Sequence, residues 1–329
     1  MQLPTKKRLM IFSGTANRAL AEEIATHLGM KLGEVEIATF ANSETYVRFV
    51  ESVRGCDAFV IQSMSSPVDH HLMQQLIMID ALKRGSAKRI TAICPFYPYS
   101  RQDKKTIGRE PITAKLVADL YEAAGVDRVI SMDLHTGQIQ GFFDVPFDHL
   151  TARTLLTDYF VDILDEEFVI VSPDVGRVRL AEKWIQHLNE FHELSGQIAF
   201  LHKRRAREAR NVSETRTVVG DVDGKVCVVV DDMIDTAGTL VNGADVLMEA
   251  GATEVYAAAT HSVLSDPAVD RIKNSTIRQV VTTNTLPIPS EKEIDKLVVL
   301  SIAPIIAQTI KAVFEEGSVS ELFHGENQP

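Results

Sequence analysis

Short apolar runs alternate with helical periods over almost the whole chain, and no other feature limits its possible folds as strongly. Strand candidates fall at residues 8–12, 58–63, 89–94 and 128–132, then at 168–171, 198–201, 226–230, 254–259 and 279–283. Helical periods lie between them, among others at 16–28, 69–83, 114–123, 152–164 and 240–250. This alternation predicts an α/β fold, with parallel sheets flanked by helices on both faces. Residues 34–50 break the rhythm and read as two strands turned at 41–43, a hairpin.

An internal echo points to two similar domains. Residues 119–135 lie over 245–261 without a gap, with Asp119/Asp245, Ala124/Ala250, Gly125/Gly251, Val129/Val255 and His135/His261 coinciding. In each copy a helix stops at a glycine, which accepts the left-handed cap conformation, and the next strand delivers a histidine near its carboxyl end. A duplication and a shared architecture both explain the echo. At 329 residues the chain exceeds one small core, and we divide it into 1–150 and 151–329.

Charge narrows the function classes. With 34 Lys+Arg against 45 Asp+Glu, the net charge is −11, which disfavours a nucleic-acid partner and leaves phosphate binding to local features. Cys56, Cys94 and Cys227 are odd in number and widely spaced; Cys94 and Cys227 fall in apolar runs, as expected of buried thiols in a reducing compartment. Neither a signal peptide nor a membrane-spanning run is legible, so a cytoplasmic location is expected.

Ligands of open parallel sheets sit beyond the carboxyl ends of the strands. The most specific stretch there is Asp231-Asp232-Met233-Ile234-Asp235-Thr236-Ala237-Gly238-Thr239, following the run 226–230. A tight loop leading into a helix near Thr239 presents backbone N–H groups to an anion. Thr236 and Thr239 add hydroxyls, and Gly238 permits close approach. Asp231 and Asp232 would repel a phosphate and suit sugar hydroxyls beside it. No lysine follows the glycine, so this is not a Walker-type loop. An acidic helix cap is common after such strands, and the acid pair alone would mean no more than that.

The segment resembles the phosphoribosyl-diphosphate loop of type I phosphoribosyltransferases and of the ribose-phosphate diphosphokinases, and the rest of the chain is similar to the diphosphokinases over essentially its whole length. Asp133-Leu134-His135-Thr136-Gly137-Gln138 and the residues through Asp148 match the diphosphokinase signature. The resemblance implies a type I phosphoribosyltransferase-like fold, with ATP and oligomer contacts in 1–150 and the sugar loop and catalytic flap in 151–329. It implies binding of ribose 5-phosphate by Asp231, Asp232, Asp235, Thr236, Ala237, Gly238 and Thr239. It nominates Phe40, Asn42 and Glu44 at the hairpin tip, with Arg101 and Gln102, for ATP held between neighbouring subunits. Many bacterial relatives carry Asp where Asn42 stands. It implies Mg²⁺ at His135 and Asp174. Physically Asp174 is the simpler ligand because Mg²⁺ prefers oxygen; His135 can instead contact a phosphate or a metal-bound water.

Residues 202–211 form the one dense basic run of this acidic chain. Such runs are commonly solvated faces, but this one lies in sequence between Asp174 and Asp231. The resemblance makes Lys203 and Arg205 the catalytic pair, on a loop closing over ATP. The run is longer than the commoner pattern between Arg205 and Asn211, which leaves Arg207 and Arg210 without an assigned role. The implied reaction moves the β,γ-diphosphate of Mg-ATP to the 1-hydroxyl of ribose 5-phosphate, releasing AMP, in a homohexamer. A type I phosphoribosyltransferase would share the sugar loop but not the signature at 133–148. A non-catalytic regulatory relative would be expected to lack parts of the flap or the loop.

Overall fold

The computed structural model describes residues 7–164, 167–204, 215–323 and 325. The chain forms two compact units, the first of residues 1–151, 285–287 and 301–329, the second of 152–284 and 288–300. The last helical segment thus belongs with the first unit, not with the continuous stretch 151–329 read from the sequence.

The first unit runs β1 (Leu9–Ser13), α1 (Arg18–His27), β2 (Val35–Thr39), β3 (Thr45–Phe49), β4 (Asp57–Ile61), α2 (Val68–Arg84), β5 (Arg89–Ile93), α3 (Thr113–Ala124), β6 (Arg128–Met132) and β7 (Phe147–Leu150). The second continues with α4 (Arg153–Phe160), β8 (Phe168–Ser172), α5 (Val178–His192), β9 (Gln197–Arg204), β10 (Thr215–Val219), β11 (Val226–Ile234), α6 (Gly238–Glu249), β12 (Glu254–Ser262), α7 (Ala268–Lys273), β13 (Gln279–Thr283) and β14 (Leu297–Leu300). The helix α8 (Ala303–Glu315) packs on α1 in the first unit.

Strands β1-β4-β5-β6-β7 form one parallel sheet, in that order. Every residue of β4 is buried: Ala58 to Ile61 are apolar, as helix-covered faces require, and Asp57 pairs with Arg89. The pair β2–β3 stands as a separate antiparallel hairpin, with Val35, Ile37, Val47 and Phe49 turned to the core. The second sheet has the order β10-β9-β8-β11-β12-β13-β14, parallel except for the edge strand β10. The edge strands β10 and β14, and the four-residue β7, were not foreseen; strands of four or five residues leave little periodicity to read.

All three cysteines are buried free thiols, and burial pushes Cys227 up to about 12, which keeps it protonated and unreactive. Among the described residues no helix is long and apolar enough to cross a membrane.

The echoed glycines both carry left-handed backbones, Gly125 with φ 103° and Gly251 with φ 97°. A Cβ on Gly251 would stand 2.1 Å from Asp223 Oδ1. Gly251→Ala therefore combines backbone strain with a clash and is expected to cost about 1–2 kcal/mol. The sole tryptophan, Trp184, is buried in the second unit against Phe160, so a lowered urea midpoint in its fluorescence checks this directly.

Candidate active site

In the second sheet the strand order reverses at β8, which has β9 on one side and β11 on the other. The crevice beyond the carboxyl ends of β8 and β11 is thus a topological switch point, where such sheets bind ligands. Two sequence-predicted segments meet there because β8 and β11 are direct parallel neighbours, with Val171 opposite Val229.

From β8 comes Asp174. Its Oδ1 accepts from the Gly176 N–H at 2.7 Å and closes the short turn that leads into α5; the residue is exposed. From β11 come Asp231 and Asp232, which correct the sequence reading: the strand does not end before them but continues to Ile234, because β12 pairs alongside through Met233↔His261 and Ile234↔Ser262. The loop proper is only Asp235, Thr236 and Ala237, and α6 opens at Gly238, one residue earlier than Thr239. Ala237 is buried and left-handed at φ 56°, a conformation unfavourable for a residue with a Cβ, which turns the chain sharply into the helix. No side chain caps α6, so its first N–H groups face the loop. Thr236 and Thr239 are exposed, while Asp235 and Gly238 are half-buried.

Two arginines missed by the sequence reading hold this crevice. Arg177 Nη2 donates to Asp232 Oδ1 at 2.9 Å, and its Nε lies 3.5 Å from Asp231 Oδ1. Arg271 on α7 donates from Nη1 to the Thr236 carbonyl at 2.8 Å, pinning the loop from outside. Neither stands in a motif that marks a partner thirty-five or fifty-five positions away; only the β8–β11 pairing brings Arg177 to the acids. Desolvation, then the Asp232 charge, push Asp231 well above the usual carboxylate range, with Arg177 opposing.

An acid raised in this way stabilises the fold below its unfolded pKa and loses that contribution as pH rises through its folded value. Asp231→Asn keeps the shape and removes the charge. At neutral pH the ligand-free variant is expected to melt higher than wild type, while its KM for ribose 5-phosphate rises by about 10-fold as a charge-assisted bond becomes neutral. Scanning calorimetry and initial rates at varied sugar check both arms.

In the first unit, Arg101 and Gln102 lie on the loop after β5, and His135 on the loop after β6. Both loops leave the carboxyl edge of the same sheet. The buried Asp103 ties them together, accepting from Thr136 Oγ1 at 2.9 Å and Gln138 Nε2 at 2.7 Å. This buried carboxylate was also missed; beside two lysines it reads as part of an exposed polar loop. Arg101 and Gln102 are exposed, and His135 is half-buried. His135 follows β6 by three residues, whereas its echo His261 is buried within β12. The hairpin turn is as read: Phe40 N–H donates to Glu44 O at 2.8 Å, Glu44 N–H to Asn42 Oδ1 at 3.2 Å, and Ser43 is left-handed. An Asp at position 42 would offer the same acceptor oxygen. Phe40 is 55% exposed and meets the edge of Tyr46.

Comparison with known proteins shows the family. Residues 9–125 match the N-terminal domain of ribose phosphate pyrophosphokinase, and residues 205–324 match a phosphoribosyl synthetase-associated domain. A ribose-phosphate pyrophosphokinase of Mycobacterium leprae is 55% identical over 322 residues, covering 98% of this chain and 97% of its own. The chain belongs to the ribose-phosphate pyrophosphokinase family. One from Streptomyces coelicolor is 53% identical over 319 residues, with 97% of each chain covered. The crystal structure of phosphoribosylpyrophosphate synthetase from Mycobacterium smegmatis superposes with a TM-score of 0.88 at 55% identity, over 94% of this chain and all of that one.

The basic run needs a correction within this family frame. The strand read as 198–201 extends to Arg204, so Lys203 lies on β9, opposite Arg216 of β10, and not in a loop. Arg205, Arg207 and Arg210 lie outside the described residues. His135 belongs to the first unit and Asp174 to the second.

Proposed function

We propose that the protein transfers the β,γ-diphosphate of Mg-ATP to the anomeric hydroxyl of ribose 5-phosphate, giving 5-phosphoribosyl 1-diphosphate and AMP. The observation that carries this reading is the crevice at the switch point, where paired aspartates, a three-residue loop and an uncapped helix N-terminus stand side by side. The sugar's 5-phosphate fits the N–H groups and hydroxyls of residues 235–239, and its ring hydroxyls fit Asp231 and Asp232 as acceptors. Arg177 offsets part of the mutual repulsion of those acids and opposes the rise in the Asp231 pKa.

Arg101 and Gln102 suit the base and ribose of ATP, the first by stacking its guanidinium and the second by hydrogen bonding. Phe40, Asn42 and Glu44 present a rigid tip suited to the nucleotide of a neighbouring subunit. On this reading the active unit is an oligomer, with a hexamer as the family-derived expectation. Sedimentation under assay conditions tests the shared site, and a fully active monomer would refute it. Phe40→Ala should raise the KM for ATP without changing that for the sugar.

The metal fits one of its two nominated ligands better than the other. Asp174 offers an exposed carboxylate with one oxygen engaged by a backbone N–H, the hard donor that Mg²⁺ prefers. His135 suits a phosphate oxygen or a metal-bound water. When bound, Mg²⁺ supplies charge neutralisation along the triphosphate. The chain's own contribution is positioning: the sugar hydroxyl is held in line with the β-phosphorus, and Lys203 with Arg205 meets charge that develops on the transferred group. Turnover of position-labelled ATP with ribose 5-phosphate and no nucleobase tests the reaction. β- and γ-phosphates must move together, with AMP released.

A further inference from the structure

Far from the crevice, two helices bring together a set of side chains that the reaction does not use. Asp158 lies on α4, and His187 and His192 lie in the last turns of α5. Since α5 starts at Val178, directly after the Arg177 turn, the histidines are about 14 and 21 Å along its axis from that end. His187 Nε2 stands 3.5 Å and His192 Nε2 2.8 Å from the same carboxylate oxygen, Asp158 Oδ1. One ligand atom from each residue lies within 4.8 Å of the other two.

A tetrahedral ion with bonds of about 2.0–2.1 Å requires ligand atoms about 3.3 Å apart. The His187–Asp158 separation already meets that figure. The His192–Asp158 pair must open by roughly half an ångström, a side-chain adjustment well within the freedom of an exposed carboxylate. The rings are held in place: His187 is nearly buried and stacks on Phe191 at 4.7 Å, and His192 meets its edge at 5.7 Å. Asp158 is exposed and His192 partly so, which gives an ion a route from solvent and leaves room for water at a fourth position. The plain alternative is a polar cluster in which both imidazoles share one carboxylate by hydrogen bonding or as ion pairs.

We propose that Asp158, His187 and His192 form a binding site for a divalent transition metal of the Zn²⁺ class. Two imidazoles with one carboxylate select such an ion over Mg²⁺ or Ca²⁺, which favour all-oxygen sets. The ion would join α4 to α5, the helix that begins at the Arg177 turn, and would act there as a structural link outside the reaction itself.

Co²⁺ alone, titrated into the untagged, metal-stripped full chain, tests the site without calling on catalysis. Four-coordinate Co²⁺ with nitrogen ligands gives an intense visible band, whereas a six-coordinate oxygen site in the crevice gives only a weak one. The expected result is an intense band that saturates at one equivalent per chain and disappears on adding Zn²⁺. Asp158→Asn and His192→Gln, at solvent-accessible positions that tolerate polar replacement, should each weaken binding by at least about 10-fold. Both variants should release AMP from Mg-ATP at the wild-type rate. A wild-type protein without the intense band, or a band undiminished in both variants, overturns the proposal.

Discussion

Lys203→Ala is expected to lower kcat by on the order of 100-fold or more, with the KM values for ATP and ribose 5-phosphate little changed. The reason lies in the register of the second sheet. Strand β8 ends at Ser172, opposite Phe200 of β9, but β9 continues to Arg204. Lys203 therefore stands three residues past that point, about 10 Å beyond the end of β8 and toward the side where Asp174 and the sugar loop leave the sheet. On the proposed mechanism Lys203 meets charge on the transferred diphosphate without first binding either substrate. Stabilisation realised only in the transition state appears in kcat and not in KM. Lys203→Arg should recover part of the loss. A Lys203→Ala enzyme with near-normal kcat would remove this ribbon from the mechanism.

The second large effect is expected at Arg177. Arg177→Ala should destabilise the second unit by about 3 kcal/mol and weaken ribose 5-phosphate binding as well. Asp232 is buried, with 7% of its side chain exposed, and Arg177 supplies its 2.9 Å charge-assisted bond. Removing one partner of such a pair leaves the desolvation cost of the other in place, which is why one-sided truncation is expensive. Asp231 sharpens the effect. Its pKa already stands well above the ordinary value, and the Arg177 guanidinium opposes that rise. Without Arg177 that pKa rises further, so the variant's deficit should shrink as pH falls from neutral toward the ordinary carboxylate range, because Asp231 takes up its proton over that interval. Urea titrations followed by Trp184 fluorescence at two pH values check the sign. Arg177→Ala combined with Asp232→Asn should be less damaged than the single variant, because the buried charge is gone. Equal losses at both pH values, with no recovery in the double variant, would show that Arg177 acts by packing alone.

Much of this molecule is legible along the chain because its signals are local. The strand periods at 89–93 and 128–132, the glycines at 125 and 251, and the hairpin turned around Asn42 all depend on neighbours a few residues away. The run 231–239 is likewise readable as an anion loop, since a helix start, a glycine and two threonines carry their meaning within nine positions. Where sequence reading misplaced a boundary, a strand partner was responsible. β11 and β9 outlast their apolar runs because β12 and β10 continue to pair with them, and hydrogen bonds to a neighbouring strand do not depend on side-chain polarity.

Periodicity and turn chemistry determined by themselves that this is an α/β protein, with a candidate anion-binding loop near residue 235. Tertiary structure alone decided that β8 and β11 are neighbours at a reversal of strand order, that α8 returns to the first unit, and that Arg177, Arg271 and Asp103 hold the loops. Local conformation is encoded by nearby residues, whereas an ion pair across fifty-five positions exists only once two strands have been laid side by side.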